Sequence, residues 1–396
     1  MRCVIIGAGP SGLAAGIKIL KESQEKAVCC ECIIIEKDIH QNKPCGGLIT
    51  PKAKDLLLHL EISTSFLHCC NEIEVEYKNM GFAYHTTESF YTCHRSDLIF
   101  RLTQKYKSLG GKIIWNKVIS VEPQFKRIKT EADIFYYDFL VLASGYRFNW
   151  DTSIDDQHCS QKISIGVSSI IKPSQELKNN HSIHIWFLKE LEGYCWRFPL
   201  SDNSLNIGFA GRFTRYPQNE FSKIKEEFSA YLGIGSVKYQ GRFLPIDSKI
   251  PVGLLMQKEL TARIYRVGEA GGYFDSLTGE GVYFALLTGI LAARHITGMM
   301  TTSEYLQAQK IVTKLCKGSS FTRNLLYKKW LLLPALLHIA QLTKALDAYM
   351  TENLILRYKY DYYTAYLSPF FCYTNQGSPF KTQEMLDMLI DEKGEQ

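Results

Sequence analysis

The sequence predicts an α/β fold: a parallel-sheet domain that is discontinuous along the chain, an inserted mixed or antiparallel β-sheet domain, and a C-terminal helical region. Short apolar strands and a helix alternate from the N-terminus, whereas short segments of alternating polarity dominate from about residue 150 to about residue 260. Two glycine-rich segments begin at Gly7 and Gly268, on either side of that stretch. The chain is therefore expected to return to its first domain after the inserted sheet.

The composition is that of a globular protein with a sizeable core. Of the 396 residues, 46% are hydrophobic and 22% are charged, and this length is enough for two domains. The net charge of +6 permits anionic ligands or a membrane surface, but no basic block indicates nucleic acid. No apolar run of about 18 residues predicts a transmembrane helix.

The 12 cysteines indicate a reducing compartment, and we expect a cytoplasmic protein because the first strand begins without a leader segment. The clustered Cys29, Cys30 and Cys32 and the adjacent Cys69 and Cys70 do not form two pairs at metal-binding spacing, so they are interpreted as buried small residues and no metal is expected. The apolar stretch 330–340 is interpreted as a buried helix, or as an interfacial segment or one wall of an apolar ligand channel. Peripheral contact with the inner face of a membrane stays open, and the sequence does not indicate an oligomeric state.

The N-terminal segment has the pattern of a Rossmann-type dinucleotide-binding unit. A buried strand is predicted over residues 3–6, a helix over residues 13–21 and a second buried strand over residues 32–35. In the glycine turn between the first strand and the helix, Gly7 permits the turn, Gly9 lets the backbone approach a pyrophosphate, and Gly12 allows close packing of the helix on the sheet. The candidate cofactor-binding residues of this turn are Gly7, Ala8, Gly9, Pro10, Ser11 and Gly12.

The carboxylate of Glu36 follows the second strand, where it can accept hydrogen bonds from ribose hydroxyls. An acidic residue there disfavours a 2′-phosphate, so the nucleotide half is expected to be that of FAD or NAD rather than NADP. Lys37 and Val118 are counted with the same cofactor-binding candidates.

Further elements of this domain are predicted after residue 90. An amphipathic helix is expected over residues 95–108, strands over residues 112–115 and 118–119, and one continuous strand over residues 135–143. The sequence predicts three structural regions. A discontinuous cofactor-binding domain comprises residues 1–70, 91–149 and 261–300. A substrate-binding sheet domain comprises residues 71–90 and 150–260, and a C-terminal helical region comprises residues 301–396.

The second glycine-rich segment predicts a return of the chain to the same ligand, as in flavoproteins that hold FAD in an extended conformation. Gly268 and Glu269 follow a strand, so the carboxylate is expected near a polyol. Gly279 and Gly281 precede Val282, which begins a helix whose N–H groups could face the pyrimidine end of a reduced flavin.

Four segments resemble the geranylgeranyl reductase family of FAD-dependent oxidoreductases, which share an aromatic-hydroxylase-like flavoprotein fold. These segments are Gly7–Gly12, the Cys-Gly-Gly segment Lys43–Leu48, the aromatic strand Tyr194–Pro199 followed by Asn206–Gly208, and Gly268–Val282. The resemblance covers residues 1 to about 310. It implies reduction of isoprenoid C=C bonds by hydride transfer from N5 of reduced FAD, with NAD(P)H or ferredoxin as an external electron donor.

The resemblance also implies roles for particular residues. Tyr194, Trp196 and Phe198 alternate along one strand and share a face, which suits an apolar chain, although such a face is equally typical of a sheet core. The resemblance places Cys45, Gly46 and Gly47 beside the flavin ring. Cys45 is the candidate catalytic residue, as a proton donor or as a group that shapes the substrate side; a packing role is the alternative.

Arg95 matches the family's arginine near the flavin phosphates or ribityl chain, and a surface ion pair with Asp97 is the alternative. Three positions depart from related patterns. Glu269 stands where the family has Asp, Ser276 stands where a Pro is usual, and Ser144 replaces an Asp of the aromatic hydroxylases. A flavin-dependent monooxygenase and a non-catalytic flavin redox protein remain as alternative functions.

Overall fold

The computed structural model describes most of the chain up to residue 328. The described residues are 1–38, 43–77, 80–145, 163–173, 182–187, 192–212, 217–235, 237–245 and 254–328. The apolar stretch 330–340 and the rest of the C-terminal tail, for which the sequence predicts mainly helix, lie outside them.

A five-stranded parallel sheet, sheet A, forms the first layer. Its strands are β1 (Arg2–Ile6), β2 (Glu31–Glu36), β6 (Lys112–Trp115), β10 (Phe139–Leu142) and β16 (Ile264–Arg266). They lie in the order β16-β10-β1-β2-β6, and each neighbouring pair is parallel. Both faces of a parallel sheet are covered, which is why β1 and β2 consist of nearly continuous apolar residues.

Helices cover one face of sheet A. These are α1 (Pro10–Glu25), α2 (Pro51–His59), α3 (Arg95–Ser108), α6 (Val282–Ile296) and the start of α7 (Thr302–Lys328). The other face packs against a small antiparallel sheet of β7 (Val118–Glu122), β8 (Arg127–Thr130) and β9 (Ile134–Tyr136). The layered arrangement buries alternate side chains of β1 on opposite sides.

One predicted strand is wrong in its extent. The continuous strand expected over residues 135–143 is two strands, β9 and β10, which belong to different sheets. Between them, Tyr137 is buried and a carboxylate oxygen of Asp138 accepts a hydrogen bond from the backbone N–H of Arg2 at 2.7 Å. An apolar run alone does not reveal such a change of sheet, because both strands are partly buried.

Sheet B is an eight-stranded mixed sheet. Its strands are β3 (Leu48–Ile49), β4 (His68–Tyr77), β5 (Met80–Thr92), β11 (Ile163–Ile171), β12 (Ser182–Phe187), β13 (Glu192–Pro199), β14 (Leu205–Arg212) and β15 (Gln240–Pro245). The order is β15-β11-β14-β13-β12-β4-β5-β3, and only the β12–β4 pairing is parallel within the described strands. The predicted α/β fold with a Rossmann-type sheet, a mixed second sheet and following helices is confirmed.

Helices within residues 150–260 are a further difference from the sequence prediction, which expected strands there. The structure has α4 (Pro217–Tyr231) and α5 (Leu254–Thr261) in this stretch. Ile224 and Phe228 of α4 pack on Trp186 and Phe209, so α4 covers the face of sheet B that points away from sheet A. The domain boundaries proposed from the sequence stay a prediction.

Within the described residues, no helix combines the length and apolar character needed to cross a membrane.

The prediction that the clustered cysteines are buried is wrong for part of the set. Cys29 and Cys69 are exposed and Cys30 is half-buried, whereas Cys32 and Cys70 are buried. Cys29 and Cys30 lie in the loop between α1 and β2, and Cys69 alternates with the buried Cys70 along β4, so adjacent cysteines have different surroundings.

Candidate active site

A cavity of about 830 Å³ lies between the carboxyl edge of sheet A and the inner face of sheet B. This edge of a parallel sheet is where α/β proteins bind nucleotides, and the volume is in the range of ligand sites. Eighteen of the candidate residues line it: Gly7, Gly9, Pro10, Ser11, Glu36, Lys37, Cys45, Gly46, Gly47, Arg95, Val118, Tyr194, Trp196, Phe198, Glu269, Gly279, Gly281 and Val282. Ala8, Gly12 and Gly268 are candidates that lie behind this wall.

The first glycine turn is shaped by close backbone contacts. Gly7 has φ of +106°, which side chains rarely tolerate, and a Cβ there would collide with the carbonyl of Ala143. A Cβ at Gly12 would collide with the carbonyl oxygen of Gly7. At Gly9, no atom of the described residues other than its chain neighbours lies within 4 Å of a Cβ position. Gly9 therefore faces open cavity at the N-terminus of α1, where backbone N–H groups favour an anion.

The carboxylate of Glu36 organises the adjacent end of β2. Its Oε2 accepts a hydrogen bond from the backbone N–H of Ala8 at 2.7 Å, and its Oε1 accepts from the N–H groups of Lys37 and Asp38 at 2.8 and 3.0 Å. Ala8 thus acts through its backbone, and Glu36 presents a fixed carboxylate to the cavity.

The second glycine segment is held by a buried carboxylate that the sequence analysis did not single out. Oδ1 of Asp275 accepts hydrogen bonds from the backbone N–H groups of Leu277 and Thr278 at 2.8 and 3.1 Å. The carbonyl of Asp275 accepts from the N–H of Gly279 at 2.8 Å, which closes the turn before α6. Its signal in the sequence is an Asp two residues before a Leu-Thr-Gly turn, which is a common turn-forming arrangement.

The two glycine segments meet because α6 crosses α1 closely. A Cβ at Gly289 would collide with the carbonyl oxygen of Ser11, and one at Gly268 would come within 2.9 Å of the Ser11 hydroxyl. The N–H of Gly268 donates to Oγ1 of Thr288 at 2.9 Å, inside the core. Gly268 therefore shapes the packing behind the cavity wall.

An ion pair joins the Cys-Gly-Gly segment to the second glycine segment. Nζ of Lys43 lies 2.9 Å from Oε2 of Glu269, and both side chains line the cavity. The Glu269 carboxylate is expected near a polyol from the sequence, whereas no sequence pattern predicts a role for Lys43. A second contact joins the same regions, since the Thr50 hydroxyl donates to Oε1 of Glu280 at 2.6 Å.

The Cys-Gly-Gly segment packs directly on the aromatic strand β13. A Cβ at Gly46 would lie 3.2 Å from Phe198 and 3.4 Å from Trp196. Sγ of Cys45 accepts a hydrogen bond from the backbone N–H of Gly47 at 3.4 Å. The half-buried Cys45 therefore lies at the boundary between the glycine segments and the aromatic wall.

Asn206 on β14 connects these two parts, although the sequence analysis gave it no role. Its Nδ2 donates to the carbonyl of Cys45 at 2.8 Å, and its Oδ1 accepts from Nε1 of Trp196 at 3.0 Å. Asn206 is buried, and both ends of its amide are used. A polar residue at a core-facing position of an apolar strand is the sequence signal that points to such a contact.

The three candidate substrate-binding aromatics form one wall, in contact with the cavity and with the core of sheet B. The ring centroids of Tyr194 and Trp196 are 6.0 Å apart, and those of Trp196 and Phe198 are 5.9 Å apart and stacked. The hydroxyl of Tyr194 donates to the carbonyl of Thr278. Burial raises the pKa of Tyr194 well above its ordinary value, with a further contribution from Asp275, so this phenol stays protonated.

Nε of Arg95 and Oγ of Ser144 are among the buried polar atoms of the wall that have no hydrogen-bond partner within the described residues. A buried guanidinium nitrogen without a partner favours an anionic oxygen in the space beside it. Together with the open approach at Gly9 and the fixed carboxylate of Glu36, these atoms fit an extended dinucleotide with phosphates at the start of α1.

Comparison with known sequences gives distant relatives. No protein-family model matches the chain. An uncharacterized protein of Methanosarcina barkeri is 26% identical over 306 residues, 74% of each chain. Menaquinone reductase of Mycobacterium tuberculosis is 23% identical over 322 residues, 73% of this chain and 75% of that protein. Digeranylgeranylglycerophospholipid reductase 2 of Methanosphaera stadtmanae is 26% identical over 120 residues, 29% of each chain.

Solved structures have the same fold. A geranylgeranyl bacteriochlorophyll reductase-like protein of Thermoplasma acidophilum has a TM-score of 0.64 at 16% identity, covering 83% of this chain and 87% of that one. A variant of Klebsiella pneumoniae HpxO complexed with FAD has a TM-score of 0.65 at 13% identity, covering 90% and 99%. The flavin-dependent brominase Bmp2 has a TM-score of 0.59 at 16% identity, covering 98% and 99%. The fold is that of FAD-binding flavoproteins, and the resemblance to the geranylgeranyl reductase family is confirmed.

Proposed function

For this relative of the geranylgeranyl reductases, with the fold of FAD-binding flavoproteins, we propose the function of an FAD-dependent oxidoreductase that reduces C=C bonds of an isoprenoid or another apolar substrate. The observation that carries the proposal is the continuity of the cavity. It runs from the two glycine segments past Cys45 to the aromatic wall of Tyr194, Trp196 and Phe198. The region suited to a nucleotide and the region suited to an apolar substrate are therefore parts of one continuous cavity.

Different parts of the cavity would hold the nucleotide end and the flavin end of FAD. The N-terminus of α1 and Arg95 would hold the phosphates, and Glu36 would accept hydrogen bonds from the ribose hydroxyls. The N-terminus of α6, beginning at Val282, would face the flavin ring. Bound FAD, once reduced by an external donor such as NAD(P)H or ferredoxin, supplies the hydride equivalent.

The apolar side suits a long hydrocarbon. Beyond the aromatic wall, the cavity is bordered by small or apolar residues, including Gly166, Ala210 and Ile185 on neighbouring strands of sheet B. Each buried CH₂ group of a substrate contributes about 0.8 kcal/mol, so a polyprenyl chain gains affinity along such a surface without polar contacts. Lipid substrates of this kind would also bring the protein into peripheral contact with a membrane surface.

Addition of two hydrogens to an alkene needs one hydride and one proton. The hydride forms a bond to one carbon, and the proton bonds to the other carbon as the π bond breaks. The thiol of Cys45 is the proposed proton donor because it lies between the two regions, and the thiolate then regains a proton from water. Tyr194 is unsuited to this step because its proton is donated to the Thr278 carbonyl and its pKa is raised by burial.

The test is an anaerobic single-turnover experiment with the full chain. The protein is loaded with FAD, reduced with dithionite, and mixed with polyprenyl ether lipids, prenylated quinones or free polyprenols of several chain lengths. The expected result is flavin reoxidation that depends on substrate, together with a product heavier by two hydrogens in mass spectrometry.

The alternatives predict other outcomes. A monooxygenase would leave these substrates unchanged without oxygen and would form an oxygenated product in air. A non-catalytic flavin redox protein would bind FAD but show no substrate-dependent reoxidation. Failure to saturate any of the polyprenyl compounds under anaerobic conditions would contradict the proposal.

A further inference from the structure

The Lys43–Glu269 pair crosses the cavity between segments that are 226 residues apart in the chain. Lys43 lies two residues before Cys45, and Glu269 lies in the second glycine segment. A Cβ at Gly145 would lie 3.3 Å from Nζ of Lys43 and 3.7 Å from Oε2 of Glu269, so the pair lies over the carboxyl end of β10. The side chain of Glu269 is only 14% exposed, and that of Lys43 is 38% exposed.

The charge of Glu269 is a difficulty for an anionic ligand in the same cavity. Two other carboxylates in the wall have partners that hold them in place: Glu36 accepts three backbone N–H groups, and Glu280 accepts the Thr50 hydroxyl. A partly buried carboxylate that loses its cationic partner would repel a diphosphate, and such repulsion is strong where water screens poorly.

We propose that Lys43 neutralises Glu269, so that the cavity admits a diphosphate-bearing cofactor, and that the same ion pair tethers the Cys45 segment to the second glycine segment. The inference rests on the FAD binding of the proposed function.

If Lys43 acts by neutralising Glu269, the effects of substituting the two residues on FAD affinity will not be additive. If Lys43 acts by neutralising Glu269, its removal costs affinity only while the carboxylate is present. If Lys43 instead binds the phosphates directly, its removal costs the same affinity with either residue at position 269. A double-mutant cycle separates these cases.

The first experiment measures the FAD dissociation constant by flavin fluorescence for wild type, Lys43→Met, Glu269→Gln and the double variant. The expected result is about tenfold weaker binding for Lys43→Met than for wild type, but a loss of less than about threefold when the same substitution is made in Glu269→Gln. Equal losses from Lys43→Met in both backgrounds would overturn the charge role. The exposed pair Lys223–Glu227 on α4, with side chains 64% and 46% exposed, provides the matched control cycle, Lys223→Met and Glu227→Gln, expected to leave FAD binding unchanged.

The second experiment needs no cofactor. The apoprotein is alkylated with iodoacetamide, and the rate at each cysteine is followed by peptide mass spectrometry. Lys43→Met and Glu269→Gln are each expected to raise the rate at Cys45 about threefold or more, and the double variant to add nothing further, because one contact is lost in all three. The exposed Cys69 is the internal reference and should not change.

The outcomes distinguish this inference from the proposed function. If wild type binds FAD and the cycle is non-additive but no alkene is reduced, the proposed function fails and the inference stands. If wild type does not bind FAD, the proposed function fails, and so does the proposal that Lys43 makes the cavity suitable for a diphosphate. Unchanged alkylation rates at Cys45 in the variants would overturn the tether, whatever the enzyme reduces.

Discussion

At the residue scale, the glycines of the first turn differ in what surrounds them. Gly12 is needed by the protein itself, since a Cβ would meet the Gly7 carbonyl oxygen, whereas the Cβ position of Gly9 is open. Gly9 is therefore free of any packing demand within the described part of the chain. Its role depends on what enters the cavity.

This difference predicts opposite phenotypes for two alanine substitutions. Gly9→Ala is expected to change the free energy of unfolding of the apoprotein by less than about 1 kcal/mol, because its φ of −74° suits any residue, but to weaken FAD binding about tenfold or more. Gly12→Ala is expected to destabilise the apoprotein by about 1–3 kcal/mol through overpacking. Urea unfolding and FAD fluorescence titration measure the two effects, and unweakened FAD binding by Gly9→Ala would count against a phosphate at this turn.

Cys45 is the residue on which the proposed chemistry depends. Cys45→Ala is expected to lower the single-turnover rate of alkene reduction about 10²–10⁴-fold, the usual contribution of a general acid, with FAD affinity nearly unchanged. The rate of product formation is measured by mass spectrometry after anaerobic mixing. Cys69→Ala, at an exposed position of β4, is the control and should retain the wild-type rate. A wild-type rate in Cys45→Ala would assign this residue to packing.

At the scale of elements, the β13–β14 hairpin determines how the aromatic wall meets the Cys-Gly-Gly segment. Phe198 pairs with Asn206, and Trp196 pairs with Gly208, whose missing side chain leaves room for the indole ring. The register therefore places the Asn206 amide between Trp196 and Cys45. A shift by one residue would move these side chains to the opposite face of sheet B.

Asn206→Asp is expected to break this connection while preserving size. The carboxylate can still accept from Trp196, but an oxygen replaces the N–H group that faces the Cys45 carbonyl 2.8 Å away. The expected loss in the free energy of unfolding is about 2–3 kcal/mol, because two acceptors then face each other in a buried position. Urea unfolding monitored by tryptophan fluorescence measures it. Asn203→Asp, in the exposed turn of the same hairpin, should change stability by less than about 0.5 kcal/mol, and equal losses in both variants would contradict the assignment.

At the scale of the whole molecule, folding holds several thiols in their neutral form. Burial raises the pKa of Cys70 from 9.0 to about 12, and the pKa values of Cys3 and Cys195 are also raised well above that ordinary value. For Cys3 the hydrogen bond with the neighbouring Cys32 thiol is the largest cause, and for Cys195 it is burial. The unfolded chain therefore loses these protons at lower pH than the folded protein.

The free energy of unfolding should fall at high pH, because the unfolded chain loses these thiol protons before the folded protein does. The contribution of Cys70 to the free energy of unfolding is fully present below about pH 9. It is lost as pH rises toward 12, at up to about 1.4 kcal/mol per pH unit. Urea unfolding between about pH 8 and pH 10.5 should thus show a steep loss of stability, and a shallower slope in Cys70→Ala. Cys69→Ala removes the neighbouring exposed thiol and should keep the wild-type slope. Parallel slopes in all three proteins would refute the contribution of Cys70.

Much of the nucleotide-binding half was predictable because its determinants are local. The turn at Gly7–Gly12, the helix at residues 95–108 and the strand at residues 112–115 depend on glycine positions and short-range periodicity, and the structure has the helix and strand with the predicted bounds. The split between β9 and β10, and the helices α4 and α5, were not predicted, since they depend on which sheet or face each segment packs against.

The amino-acid sequence by itself determined the glycine turns, the carboxylate after the second strand, the alternation of the aromatic strand and the resemblance to a flavoprotein family. Each of these follows from residue types at short spacing. Only the tertiary structure decided that Lys43 pairs with Glu269, that Asn206 joins Trp196 to Cys45, and that α6 crosses α1 at Gly289. Such contacts join segments from different elements, and their pairing is determined by the packing of two sheets and a helix layer, which no local pattern encodes.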